Sequence, residues 1–328
     1  MRPTERAVRE SSGTLDQPAA HRGFSLVELL VVICILSILA ALLLPAIDRV
    51  RETARAAVCR NRLRSLALAT LQFEGVRGCF PPARIISPVG SGTAAGTPSA
   101  TWLVRVMPFL EQAVAPAWDD AKPYAEQSDA ARSLVVADYL CPTRRATGRT
   151  VTASTMTPNR LASCGCLIPG RPVSGGAVAD FGGNHGHMVP SASGTSASGS
   201  GLIVSAEHLP GTGRWFPSVR PQDARDGLSR TLLVAEMHVP RAGLCEPPDN
   251  GPAYDATDFF SMSRVGGPGV PLADGPDDDV AGMGMFAFGG WHPGACQAAY
   301  GDGRIESLSP QMETDVLAAL CSRADVTR

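Results

Sequence analysis

The chain reads as an α+β protein: one long N-terminal helix, half transmembrane and half amphipathic, then a β-rich head of antiparallel strands and long loops. Three observations carry this. From Phe24 to Ile47 the sequence is apolar except for Ser25, Glu28, Ser37 and Pro45, which is long enough to cross a hydrocarbon core of roughly 30 Å. From Asp48 to Phe73 there is no Gly or Pro, and Ala, Leu and Arg dominate, all good helix formers. The rest carries most of the 34 Gly and 27 Pro of a 328-residue chain that is only 5% aromatic, a turn-rich composition.

The helix is expected to run for about fifty residues, at 1.5 Å each, with Pro45 kinking it near the membrane exit. Its second half carries the stripe Ala56, Cys59, Leu63, Leu66 and Phe73, whose helical spacing faces a folded domain. The pattern breaks at Gly75-Val76-Arg77-Gly78, followed by Phe80-Pro81-Pro82 and a Gly/Ser/Thr loop from Ser87 to Ala100. Thr101 to Gln112 is the next apolar segment, and Tyr139-Leu140-Cys141-Pro142 reads as a short strand-like stop. Gly194 to Gly201 is Ser/Gly low complexity, expected to be mobile. Thr231 to Ala235 is an apolar strand, and the Pro/Gly/Asp segment from Gly266 to Asp279 is a long loop. A strand pair flanks Gly301-Asp302-Gly303, and Met312 to Leu320 closes as a short helix. No internal repeat is visible.

Net charge is −2 and Lys122 is the single lysine, so nothing electrostatic points to nucleic acid. Of nine cysteines, Cys34 falls in the apolar span and reads as a small apolar filler. The others suit an oxidising compartment, where disulfides persist. Cys59 and Cys141 are the candidate disulfide. Cys164 and Cys166 are too close to bridge each other, and the full connectivity is not readable from sequence.

The string Arg22-Gly23-Phe24-Ser25-Leu26-Val27-Glu28 opening the apolar run resembles the N-terminal signal of type IV prepilins and type II secretion pseudopilins. A secretory signal has a shorter apolar region and ends at an Ala-x-Ala-like site. The resemblance implies cleavage by prepilin peptidase after Gly23 and N-methylation of Phe24. It implies that Glu28, costly inside a membrane and so a functional hypothesis, neutralises a neighbouring subunit's N-terminus in a filament. It divides the chain into a leader (1–23), a transmembrane half-helix (24–47), an amphipathic half (48–75) and a pilin-like extracytoplasmic head (76–328), the helix laid on the head as in pilins. Arg49, Arg51, Arg55, Arg60, Arg62 and Arg64 after the span would by the positive-inside rule place that side in the cytoplasm. The cleavage signal, which works only with the leader inside, overrides this.

Further blocks resemble one family of pseudopilin-like proteins, a domain of unknown function with a C-terminal His-x9-Asp-Gly signature. They are Cys59-Arg60-Asn61-Arg62-Leu63-Arg64, Phe80-Pro81-Pro82, Pro108-Phe109-Leu110-Glu111-Gln112 and Leu140-Cys141-Pro142. Asp226-Gly227-Leu228-Ser229-Arg230-Thr231-Leu232 follows, and Phe288-Gly289-Gly290-Trp291-His292 is spaced by nine residues from Asp302-Gly303. Arg62 and Arg230 replace Asn residues of the family pattern, which puts any role of those amides in doubt. The family's biochemical role is not established.

For the signature residues His292, Asp302 and Gly303 the structural reading is preferred. Asp-Gly is a strong hairpin signal, and His292 then bonds a neighbouring loop ahead of the strand from Cys296 to Tyr300. His185-Gly186-His187, with one or two further ligands such as His208 or an Asp, could bind a metal, and Asp277-Asp278-Asp279 calcium, but neither has full ligand spacing. No metal or cofactor is expected, and the calcium question stays open. Neither a Gly-x-Ser-x-Gly elbow nor a phosphate-binding glycine loop occurs, so an enzyme is not expected. The reading is a pseudopilin-like subunit of the inner membrane, head outside the cytoplasm, whose partners are prepilin peptidase and other subunits. The alternative is a tethered module that binds a solute or polysaccharide.

Overall fold

The computed structural model describes residues 25–86, 100–110, 118–120, 122–157, 160–161, 167–168, 170–191, 194–197, 199–209, 212 and 214–324. Gly23, Phe24, Glu111, Gln112, Cys164, Cys166 and most of the loop after Ile86 lie outside them. The chain divides into two compact units, residues 1–50 and 51–328. In the first, helix α1 begins at Leu26 and its apolar side chains are exposed from Leu26 to Ile47.

Helix α1 spans Leu26–Arg77, 52 residues, and continues through Pro45. In the second unit its stripe of Cys59, Leu63, Leu66, Ala67, Thr70 and Phe73 is buried. The spacing of three and four residues puts these side chains on one face. Cys59, Leu63, Leu66, Ala67 and Phe73 pack in one core with Phe80, Trp102, Leu103, Tyr139, Phe181, Ile203 and Met262. Burying each large side chain stabilises the fold by about 2 kcal/mol. Two of its fully buried rings are hydrogen-bonded: Trp102 Nε1 donates to Met262 O at 2.8 Å and Tyr139 Oη to Leu103 O at 2.7 Å.

Among the described residues the main sheet has six strands: β1 Phe181–Ser191, β2 Gly194–Ala197, β3 Leu232–Glu236, β4 Ser263–Gly266, β5 Cys296–Tyr300 and β6 Ile305–Leu308. Its order is β4-β1-β3-β5-β6, with β2 added to β1. All pairings are antiparallel except β4 on β1. Successive strand residues alternate faces. Ala299 accordingly joins the α1 core, while Ala298 and Tyr300 join a second core with Leu317 and Cys321 of helix α2, Thr314–Cys321. The sheet is thus filled on both sides. Asn184 ties the layers together, its Nδ2 donating to Leu232 O at 2.8 Å and Cys321 O at 2.9 Å.

Three expectations need correction. The Ser/Gly run expected to be mobile supplies β2, which pairs Met188 to Ser191 of β1 through Ala197 to Gly194. Composition does not reveal a partner strand. Tyr139-Leu140-Cys141-Pro142 is not strand-like: Ala137–Tyr139 is a turn of 3-10 helix that leads into Cys141. The long loop after Gly266 includes a two-residue strand, Ala273–Asp274, paired in parallel with Gly289–Gly290.

Candidate functional site

Four segments far apart in sequence converge beneath α1. Cys59 comes from the buried stripe of α1, Cys141 from the turn after Tyr139, Glu236 from the last residue of β3, and His292 from the turn before β5. One donor atom from each lies within 4.8 Å of all the others. Cys59, Cys141 and Glu236 are fully buried and His292 is 4% exposed.

The contacts have direction. Cys59 Sγ donates to Glu236 Oε1 at 3.3 Å, and Glu236 Oε2 accepts the Gln297 N–H at 2.8 Å. His292 Nε2 faces Cys141 Sγ at 3.4 Å and Glu236 Oε1 at 3.5 Å. Its Nδ1 lies 2.7 Å from Glu52 Oε1, and the Thr143 hydroxyl donates to the same oxygen at 2.9 Å. The carboxylate holds a proton on Nδ1 and so keeps Nε2 turned toward the cluster.

Backbone geometry makes room for this. A Cβ on Gly290 would stand 2.6 Å from Glu236 Oε2 and 2.7 Å from Ala295 O, so only glycine lets the carboxylate pass. Gly294 closes the turn after His292 at φ +66°. Cys141 is held by its N–H, which donates to Asp180 Oδ2 at 2.7 Å. Asp180 is fully buried between Arg144, at 3.1 Å, and Arg145, whose Nε lies 2.9 Å away. Arg62 donates to Leu140 O at 3.0 Å, so the position where the family pattern has Asn still steadies the turn that carries Cys141.

Electrostatics are strained by burial. Burial, and then the Cys141 sulfur, push the Glu236 carboxyl up to about 8. The hydrogen bond between the two thiols, then burial, raise Cys59. That same bond, joined by His292, holds Cys141 well below the usual thiol range against burial. Burial works to lower His292, but Cys141 and Glu236 outweigh it and bring it up to about 9. A Cys, His and carboxylate in line resemble a nucleophilic triad, yet the Cys141 sulfur sits on a residue with no exposed surface.

The predicted site residues fare differently. Cys59 and Cys141 are brought together as separate thiols. His292 and Asp302 are not brought together: they flank opposite ends of β5, a strand of about 17 Å. Asp302 instead accepts the Arg304 N–H at 3.0 Å in the hairpin turn, with Gly303 at φ +85°. His185 sets its ring edge-on to Phe259 at 4.7 Å, and His187 Nδ1 meets Ser200 Oγ at 3.0 Å. Asp277 pairs with Arg241 at 3.0 Å, and Asp278 accepts the N–H groups of Asp274 and Val280 at 2.9 Å. Glu28 accepts the Ser25 N–H at 2.9 Å. Sequence reasoning missed Glu236 and Glu52. The one available signal for Glu236 was a carboxylate ending an apolar strand.

A model of the prokaryotic N-terminal methylation motif matches residues 18–44. With the exposed apolar helix behind it, the motif marks a type IV pilin-like subunit, processed by prepilin peptidase and anchored by a single span. Searches of curated proteins and of solved structures give no match. A second model matches residues 48–315, most of the chain, and the protein therefore belongs to the family described as protein of unknown function (DUF1559).

Proposed function

We propose that this subunit is inserted with residues 1–23 in the cytoplasm, cut between Gly23 and Phe24, methylated on Phe24, and packed through α1 into an envelope pseudopilus or filament. The head, residues 76–328, then stands outside the inner membrane. The observation that supports this most is the surface of α1. From Leu26 to Leu44 it exposes apolar side chains on every side, with Leu26 78%, Leu42 68% and Leu36 58% exposed. Such a surface needs lipid, or other copies of the same helix, around it. Glu28 is the ionisable group in that surface, and a neighbouring subunit's terminal amine would neutralise it. Intact mass and N-terminal sequencing of protein from native membranes test this. A chain beginning at N-methyl-Phe24 supports it; a retained Met1, or a cut beyond Ile47, overturns it.

A second reading rests on a cleft of 430 Å³ lined by Arg77, Arg214, Arg220 and Trp215. Guanidinium groups beside an indole suit an anionic sugar or similar solute, which would make the head a tethered binding module. Calorimetry with acidic oligosaccharides, on wild type and Arg220→Ala, tests it; absence of heat with the wild type removes the reading.

A further inference from the structure

We infer that Cys59, Cys141, Glu236 and His292 form a zinc site that clamps helix α1 to the head. The donor set is two sulfurs, one imidazole nitrogen and one carboxylate oxygen, four ligands of the types zinc takes in closed tetrahedral sites. Zinc–ligand bonds of about 2.3 Å to sulfur and about 2.0–2.2 Å to nitrogen or oxygen, opened to the tetrahedral angle, imply ligand–ligand edges of roughly 3.3–3.8 Å. The observed edges are 3.4 Å from Cys141 Sγ to His292 Nε2, 3.3 Å from Cys59 Sγ to Glu236 Oε1, and 3.5 Å from His292 Nε2 to Glu236 Oε1. Three edges thus match the coordination sphere, and the other three lie within 4.8 Å.

The surroundings complete the site. His292 turns its outer nitrogen to Glu52 at 2.7 Å, the carboxylate partner that orients zinc-bound histidines. Glu236 gives its outer oxygen to the Gln297 N–H at 2.8 Å, leaving Oε1 facing the centre. Charge also balances. Two thiolates, a carboxylate and a neutral imidazole around a dication leave one negative charge. The adjoining group of Arg144, Arg145 and Asp180 carries one positive charge, with Arg144 and Asp180 wholly buried. Without a cation, a buried carboxyl faces two thiols, a costly arrangement. On binding, the protons shared among the two sulfurs, the carboxyl and the ring nitrogen facing them leave to solvent, and the four atoms bind the metal as two thiolates, a carboxylate and a neutral imidazole. All four ligands come from the protein and all are buried, so the site is structural. Its ligands join residue 59 of the helix to residues 141, 236 and 292 of the head, one clamp across four segments.

The experiment uses the full chain in detergent, reduced, stripped with a chelator and titrated with cobalt(II). One cobalt per chain is expected, with the thiolate-to-metal charge-transfer band of a tetrahedral site, bleached by one equivalent of zinc. Cys141→Ser and His292→Ala should each weaken binding at least tenfold, whereas Cys34→Ser should leave the spectrum unchanged. Glu236→Gln, which keeps the shape, should also weaken binding. Absence of the charge-transfer band in reduced wild type whose circular dichroism matches the untreated protein overturns the site. So does native protein that holds a Cys59–Cys141 disulfide by peptide mapping and no metal by plasma mass spectrometry.

Discussion

Glu52 Oε1 lies 2.7 Å from His292 Nδ1, joining the amphipathic part of α1 to a turn 240 residues later. Glu52 is partly exposed and also faces Arg55 at 3.6 Å, whereas the ring it holds is buried. The contact places one edge of the imidazole at the surface of the head and the other in a closed cluster of sulfur and carboxylate.

Glu52→Gln should therefore loosen the ring without emptying the cluster. Removing such an outer carboxylate typically costs tenfold to a hundredfold in metal affinity. We expect a loss of about tenfold for zinc, measured by competition with a coloured chelator, and a shift of about 1 kcal/mol or less in stability.

Gly290→Ala should be among the most damaging small changes in the head. Its new Cβ would meet Glu236 Oε2 at 2.6 Å and Ala295 O at 2.7 Å, and the second is backbone that cannot swing aside. Overpacking of this kind costs about 1–3 kcal/mol. Thermal unfolding followed by circular dichroism should show a midpoint lowered by roughly 3–10 °C.

Glu28→Ala separates assembly from anchoring. It leaves the apolar surface from Leu29 to Leu44 untouched, so membrane insertion and cleavage after Gly23 should persist. Filament incorporation should drop at least tenfold, read by immunoblot of sheared surface fractions against membranes. Undiminished incorporation would favour the tethered-module reading.

Acid should destabilise the head partly through His185. Burial, helped by the Arg84 and Arg323 charges, lowers its pKa from 6.5 to about 4. The unfolded chain takes up this proton below pH 6.5 and the folded chain only below about 4. Stability from this group is thus complete above pH 6.5 and lost as pH falls toward 4. The full effect is at most about 3–4 kcal/mol. Melting curves of wild type and His185→Gln between pH 7 and 4 should converge as pH falls.

What was legible from sequence was local. The apolar run, the absence of helix breakers and the stripe from Cys59 to Phe73 specify α1, because each rests on i to i+4 neighbours. The strand beginning at Cys296 and the Asp302-Gly303 turn were equally readable, since a left-handed glycine after aspartate closes a hairpin whatever surrounds it. The Ser/Gly run at 194–201 was misread because strand pairing depends on a partner that composition does not name. Glu236 was passed over because an apolar strand with one terminal carboxylate looks the same whether that group meets water or sulfur.

The sequence by itself determined a methylation motif, an anchor, a helix continuing into the head, and the cysteines and histidine of three separate blocks. Only the tertiary structure decided that Cys59, Cys141 and His292 meet at Glu236, and that His292 and Asp302 do not meet at all. The physical reason is range. Helices and turns are set by contacts a few residues apart, whereas this cluster needs segments 82, 95 and 56 residues apart along the chain to close on one point, and the packing of α1 against the sheet chooses that point.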